Sequence, residues 1–373
     1  MGRNGYRVLD SDLHVMEPGD LYLNYMDPKW GDRIPRGTRP GPYDSVPYTT
    51  ADGSRVRNTQ VSNFPNLGGK MAPRFTIGSD RNFDPVSQVQ AMDMEGIDVA
   101  VLFRTVPLHT DDDHEPEYAN DINRAWNDWI TDFCKEAPSR MKAAGLITLH
   151  DAQLAATEVR RIVTELGHVG ACLTPEPALG RQLPESYFDP VWSEAQDLNV
   201  PICFHPSFSP NQPHWSNRFA SLSGLTWLVE TFDQPMEQLL ATVYMTAGGI
   251  LERFPKMKVA FLEGNCSWLP WLLYRLDERY ELYEGLEGVI NLSLKPSEYF
   301  LRQCFISVDV DEYLVTDVIK RFGDDYLVFT TDYPHADCAY PEATNIFLSM
   351  DGVSEESKRK ILWDNCARLY SLN

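Results

Sequence analysis

The segment VLDSDLHVMEP, residues 8–18, sets Asp10, Asp12, His14 and Glu17 directly behind the first apolar run of the chain. Side chains two apart on an extended strand point to the same face, so Asp12 and His14 can offer a carboxylate and an imidazole to one ion. His205 ends a second apolar run, VPICFH, and Asp332 ends a third, YLVFTTD, with His335 just beyond it. Arg104 ends DVAVLFR, Glu176 follows VGACLTP and Glu263 closes MKVAFLE. Imidazoles and carboxylates gathered at strand ends are the donor set of a divalent transition metal. Asp12, His14, His205 and Asp332 are the predicted ligands. Arg104 suits a carboxylate clamp, because a guanidinium binds a carboxylate through two parallel bonds.

For these residues to meet, their runs must be strands that share one carboxyl end. Eight runs qualify: 6–15, 98–106, 142–150, 169–177, 200–207, 257–264, 304–311 and 326–335. Most are continuously apolar rather than alternating, the pattern of parallel strands buried on both faces. Amphipathic segments separate them, at 84–96, 116–138, 152–167, 188–199, 225–253, 266–285 and 313–322, and 340–350 and 354–371 close the chain. Asp84, Gly96, Pro138 and Gly167 supply helix starts and stops. The alternation predicts an α/β fold, a (β/α)8 TIM barrel forming a single domain over residues 1–373. Residues 16–83, dense in Pro, Gly, Asn, Asp and Arg, are too long for a simple connection. They predict an insertion, a lid on the carboxyl face after the first strand, and 208–224 predicts a second active-site loop there.

The chain has 373 residues, 43% of them hydrophobic, enough for a large core. Its formal net charge of −21 argues against nucleic acid and anionic membrane as partners. No apolar run is long enough to span a bilayer, and the first residues lack the apolar core of a secretory leader. Seven cysteines without a CxxC pair read as reduced thiols, which places the chain in the cytoplasm. His109, His114, His168 and His214 fall in loops or turns. His150 precedes Asp151 at a helix start and reads as packing or capping.

Four further stretches carry a resemblance. DSDLHVMEPGDLY with YMDPKWGDRIPR, AGGILERFPKMKVAFLEGNCSWLPWLLYRLDE, FTTDYPHAD and KILWDNCARLYSL run from end to end of the chain. With them the sequence resembles the amidohydrolase-related metalloenzymes of the aminocarboxymuconate-semialdehyde decarboxylase type, amidohydrolase family 2. The resemblance implies one divalent ion on Asp12, His14, His205 and Asp332, zinc first and manganese or iron as alternatives. It also implies a homodimer. Binuclear relatives carry a carboxylated Lys at the end of the fourth strand, and VGACLTPEP has none. Decarboxylases of the family usually carry a His at the end of the sixth strand. Alignment on WLPWLLYRLD puts Gly264 there, beside Glu263, so the acid/base role either passes to Glu263 or to His335 or is absent.

The activity implied is non-oxidative decarboxylation of an aromatic or unsaturated carboxylic acid, with the metal as Lewis acid and Asp332 as proton donor. Arg104 and the lid would orient that small molecule. The alternative is hydrolysis of an amide, lactone or C–C bond by a metal-activated water, with Asp332 taking its proton. Both chemistries use the same ligands.

Overall fold

The computed structural model describes residues 2–35, 48–49, 55–56, 72–105, 114–175, 179–206, 226–335 and 338–372. Eight parallel strands pair in chain order: β1 (Leu9–Val15), β2 (Val99–Arg104), β3 (Met141–Leu146), β4 (Gly170–Leu173), β5 (Ile202–Phe204), β6 (Val259–Phe261), β7 (Cys304–Val308) and β8 (Leu327–Phe329). The circle closes through the residues just past β8. Asp332 N donates to Asp12 O at 3.2 Å, His14 N donates to Tyr333 O at 2.7 Å, and Thr330 Oγ1 donates to Asp12 O at 2.9 Å. This is the predicted (β/α)8 barrel. Each strand is followed by a helix: α1 (Pro85–Glu95), α2 (Pro116–Cys134), α3 (Ala152–Thr164), α4 (Asp189–Asp197), α5 (Thr226–Met245), α6 (Leu269–Tyr283), α7 (Val315–Phe322) and α8 (Ala343–Leu348). Among the described residues, no helix is long and apolar enough to cross a membrane.

Local chemistry sets the element boundaries. Asp84 caps α1 by accepting from Ser87 N, and Gly96 ends it at φ 84°, a left-handed turn that costs glycine little. Asp151 caps α3 by accepting from Gln153 N and Leu154 N. The outward strand faces pack on the helices, as where Phe204, Phe261 and Phe300 stack with ring centroids 5.7 and 5.9 Å apart.

Three differences from the expected elements have physical causes. The predicted helix over 225–253 breaks after Met245, and Gly249 at φ 79° opens a separate turn at Ile250–Arg253. An unexpected helix, Pro296–Gln303, lies between α6 and β7. Its signal is present in the residues: Lys295 N donates to Glu298 at 2.8 Å and proline holds the first helical position. Third, β6 and β8 are shorter than their apolar runs, because the backbone turns left-handed at Glu263 (φ 52°) and Asp332 (φ 57°). Of the predicted lid, short helical turns at Leu21–Tyr25, Pro28–Arg33 and Ala72–Asp80 are described, with an antiparallel pair of Tyr48–Thr49 and Arg55–Val56. The loop 208–224 lies outside the described residues.

Glu95 ties α1 to α8, accepting from Thr344 N at 2.7 Å, while its second oxygen is buried without a hydrogen-bond partner. Burial pushes its carboxyl up from 4.5 to about 7. The folded state then binds this proton more tightly than the unfolded chain, so stability falls as pH rises from 4.5 towards 7. Glu95→Gln removes that ionisation. Melting curves should show the variant more stable at pH 8, by on the order of 1–3 kcal/mol, and close to the wild type at pH 5. An equal shift at both pH values would contradict this.

Candidate metal centre

β1 builds the floor of the site. All seven of its residues are buried, including Asp10, Asp12 and His14. Asp10 is a strap rather than a ligand: it accepts from Asp12 N at 3.1 Å and from Thr331 N at 3.3 Å, and Thr331 Oγ1 also donates to it. It therefore joins β1 to the segment that carries Asp332. Glu17 is structural, accepting from Trp126 Nε1 at 2.9 Å and Thr105 N at 3.1 Å.

The imidazoles are oriented by main-chain carbonyls. His14 Nδ1 lies 2.6 Å from Arg104 O, and His205 Nδ1 lies 2.9 Å from Pro206 O. A carbonyl only accepts, so each Nδ1 carries the donated proton and each Nε2 faces inward, where it can offer a lone pair to an ion or carry a second proton towards the carboxylates. The two Nε2 atoms are 3.2 Å apart. Around His14 Nε2 stand Asp332 Oδ1 at 3.2 Å, Glu263 Oε2 at 3.4 Å and Asp12 Oδ1 at 3.5 Å. His205 Nε2 is 2.6 Å from Glu263 Oε2 and 3.6 Å from Asp12 Oδ1. Imidazole nitrogens and carboxylates therefore converge on one small volume.

Buried carboxylate oxygens without donors test whether an ion fits. Both oxygens of Asp12 are buried with no hydrogen-bond partner, and Glu263 Oε2 and Asp332 Oδ1 face imidazole nitrogens. Such charges are costly unless a cation compensates them. Burial pushes Asp12 up to about 6 even though the imidazoles of His205 and His14 face it. Burial would also raise Glu263, but His205 and His14 outweigh it and hold that carboxyl well below its usual range. Without an ion, the cluster is neutralised by protons. The donor set fits a divalent cation.

The set differs in one respect from the predicted one. Asp12, His14, His205 and Glu263 have ligand atoms all within 4.8 Å of one another, and a second group joins His14 and Glu263 to Asp332 and His335. Glu263 is thus shared by both groups, and Asp332 belongs with His335, whose Nδ1 is 2.8 Å from its Oδ1. Exposure grades the site: Asp12 and His14 side chains are 0% exposed, against 22% for Asp332 and 23% for His335. The floor is sealed from solvent and the rim is partly open to it. Gly264, where the family histidine was expected, has no room for a side chain, since a Cβ there would sit 2.6 Å from Gln238 Cγ.

Arg104 meets the cluster through its carbonyl. In the β1–β2 register Phe103 pairs with His14 and Arg104 with Val15. Phe103 lies against the imidazoles, its ring centroid 5.6 Å from that of His205. Phe103 and two amides on α5, Gln234 and Gln238, were not singled out from the sequence. Gln234 and Gln238 show only as polar residues four apart in an apolar helix. Elsewhere, Thr148 pairs with His150 at 2.6 Å and Thr131 with His168 at 2.8 Å, and His114 is buried beside Tyr118. His109, Glu176 and His214 lie outside the described residues.

An amidohydrolase family model matches residues 10–372. The chain belongs to the amidohydrolase family. It is 27% identical over 294 residues to a gamma-resorcylate decarboxylase of Polaromonas sp. strain JS666, a match covering 77% of this chain and 87% of that one. It is 25% identical over 295 residues to a 2-amino-3-carboxymuconate-6-semialdehyde decarboxylase of Dictyostelium discoideum, covering 78% and 77%. Among solved structures, the fold resembles a dihydroxybenzoic acid decarboxylase from Polaromonas sp. JS666 with bound manganese and 2-nitroresorcinol. That likeness has a TM-score of 0.70 at 20% identity and covers 98% of this chain and 97% of the other. The cluster of this amidohydrolase is a divalent metal site.

Because protons and the ion compete for the same groups, affinity for a divalent ion should fall as pH drops through about 6, where Asp12 takes up its proton. Titration with Mn(II) should saturate at about one ion per chain. Asp12→Asn should bind at least about 10-fold more weakly. Equal affinity in wild type and variant would contradict the assignment.

Proposed function

We propose that this chain is a metal-dependent, non-oxidative decarboxylase of an aromatic or unsaturated carboxylic acid. The observation that carries this reading is the Asp332–His335 pair, 2.8 Å apart, standing at the mouth side of a buried ligand cluster. Two relatives that cover more than three quarters of the chain are decarboxylases by name, which supports the substrate class. Asp12, His14 and His205 would hold the ion, with Glu263 and Asp332 completing its ligand set. Three carboxylates against two imidazoles make an oxygen-rich set, which suits manganese, the ion in the Polaromonas structure. Glu263, uncounted in the expectation of zinc, tips that choice. When bound, the ion supplies Lewis-acid charge that grips a carboxylate or phenolate oxygen of the substrate.

The reaction exchanges CO2 for a proton. Burial would raise the Asp332 carboxyl, but the His335 imidazole beside it outweighs that and holds it below its usual range, so Asp332 relays a proton held on His335 to the ring carbon that bears the carboxylate. The bond from that carbon to the carboxylate then breaks, its electron pair returns to the ring, and CO2 leaves. His335 returns a proton to Asp332. Burial opposes a charge on His335, but Asp332 holds its imidazole above the usual range, so a proton is available there. Phe103 packs against the two metal-facing imidazoles and keeps their inner side dry.

Mn(II)-loaded protein, offered a panel of hydroxybenzoic acids in D2O, should release CO2 in equal amount to the arene formed. The arene should carry deuterium at the vacated carbon. Asp332→Asn should lower kcat by on the order of 10²–10⁴-fold. Hydrolysis of amides or lactones without CO2 release, or near-normal turnover by Asp332→Asn, would overturn the proposal.

A further inference from the structure

We propose that Gln234 and Gln238, two amides on one face of α5, are positioning residues that together brace Glu263 and His205 in the metal cluster. The inference rests on the reading of that cluster as a decarboxylase metal site, and it concerns what holds the ligands rather than what they do.

Residues four apart on a helix lie one above the other, so both amides present to the same neighbour. Gln238 is fully buried. Its Nε2 donates to Phe204 O at 2.9 Å and to Leu262 O at 2.6 Å. Two carbonyl acceptors fix which end of the amide is nitrogen. Those carbonyls belong to the peptide units that lead into His205 and Glu263. Leu262 N also donates to Phe204 O at 3.0 Å, the last main-chain bond between the β5 and β6 segments before the chain turns away at Glu263. One side chain therefore ties together the two strand ends that deliver these ligands.

Gln234 acts on the side chain itself. Its Nε2 donates to Glu263 Oε1 at 2.6 Å. That bond leaves Oε2 as the oxygen that faces His205 Nε2 at 2.6 Å and His14 Nε2 at 3.4 Å. Glu263 needs such help, because its backbone sits at φ 52°, a strained conformation that side chains larger than Asn or Asp seldom adopt. Gly264 belongs to the same arrangement. A Cβ there would come within 2.6 Å of Gln238 Cγ and 3.4 Å of Gln234 O, so α5 approaches this closely only over a glycine.

Gln234→Met and Gln238→Met keep side-chain volume and remove the donors. In the full chain loaded with Mn(II), Gln234→Met should weaken the ion's affinity, read by chelator competition, by about 10-fold. It should also lower kcat by about 10–100-fold while KM stays within a factor of about three. The visible absorption of the Co(II)-substituted protein should change, because the oxygen that Glu263 presents is no longer fixed. A purely structural role would instead lower the melting temperature of the metal-free protein and leave Mn(II) affinity and the Co(II) spectrum as in wild type, and that result would overturn the proposal. Should Gln238→Met fail to fold, Gln234→Met, at a half-buried position, decides alone. Affinity and spectrum are read without turnover. A changed spectrum in a chain that decarboxylates nothing would sustain the brace and sink the reaction, and an unchanged one in an active enzyme would do the reverse.

Discussion

Three carboxylates and two imidazole nitrogens from β1 and from the ends of β5, β6 and β8 crowd into a volume with almost no access to water. Charges of like sign at these distances repel strongly in a poorly solvated interior, and each buried carboxylate has lost its hydration. Protons or a cation must supply the compensation. Much of the surrounding structure serves this one requirement. Asp10 straps β1 to the Thr331 segment, two carbonyls hold the imidazoles with their Nε2 atoms inward, and Thr330 and the Asp332 amide close the barrel onto Asp12 O. A barrel suits this task because its strand ends come from distant parts of the chain yet meet at one mouth.

Backbone strain marks where the fold yields to the site. Glu263 and Asp332 both sit at positive φ, immediately after strands that stop short of the ends of their apolar runs. Left-handed turns at non-glycine residues persist only where the surroundings over-determine them. Here those surroundings are the Gln234 bond to Glu263 and the contacts of Asp332 with Asp12 O and His335. The turns aim both side chains across the barrel mouth, where a continuing strand would have carried them onward. Stability is thereby exchanged for ligand placement, and the deep apolar core absorbs the difference.

Much of this was legible from residue order. Continuous apolar runs marked the eight strands, and Asp12-x-His14 with His205 and Asp332 at strand ends marked the convergence, because period-two alternation and barrel closure leave those residues few other places to go. Glu263 was visible but ambiguous: its neighbour Gly264 took the place of the expected histidine, and only the left-handed turn shows which way the carboxylate points. The Arg104 clamp rested on residue type. Register pairs Phe103 with His14, so the strand also brings a ring and the Arg104 carbonyl to the imidazole, neither of which residue type announces. Gln234 and Gln238 were not legible, since nothing in an apolar helix announces that two amides four apart will reach across to a neighbouring strand. The Pro296–Gln303 helix was missed for a different reason: it is too short to produce a periodic signal, although its capping residues were there to read.

An oxygen-rich, buried cluster stands beside a rim carboxylate that pairs with a neighbouring imidazole. An acid of that kind beside a cation can add a proton to an electron-rich carbon as a carboxylate departs. The most direct test is an anomalous-scattering map from crystals of the Mn(II)-loaded protein, collected on both sides of the manganese absorption edge. The account predicts one peak, bounded by Asp12, His14, His205 and Glu263 with Asp332 at its open side. No peak there, two peaks, or a single peak that Glu263 does not touch would contradict it.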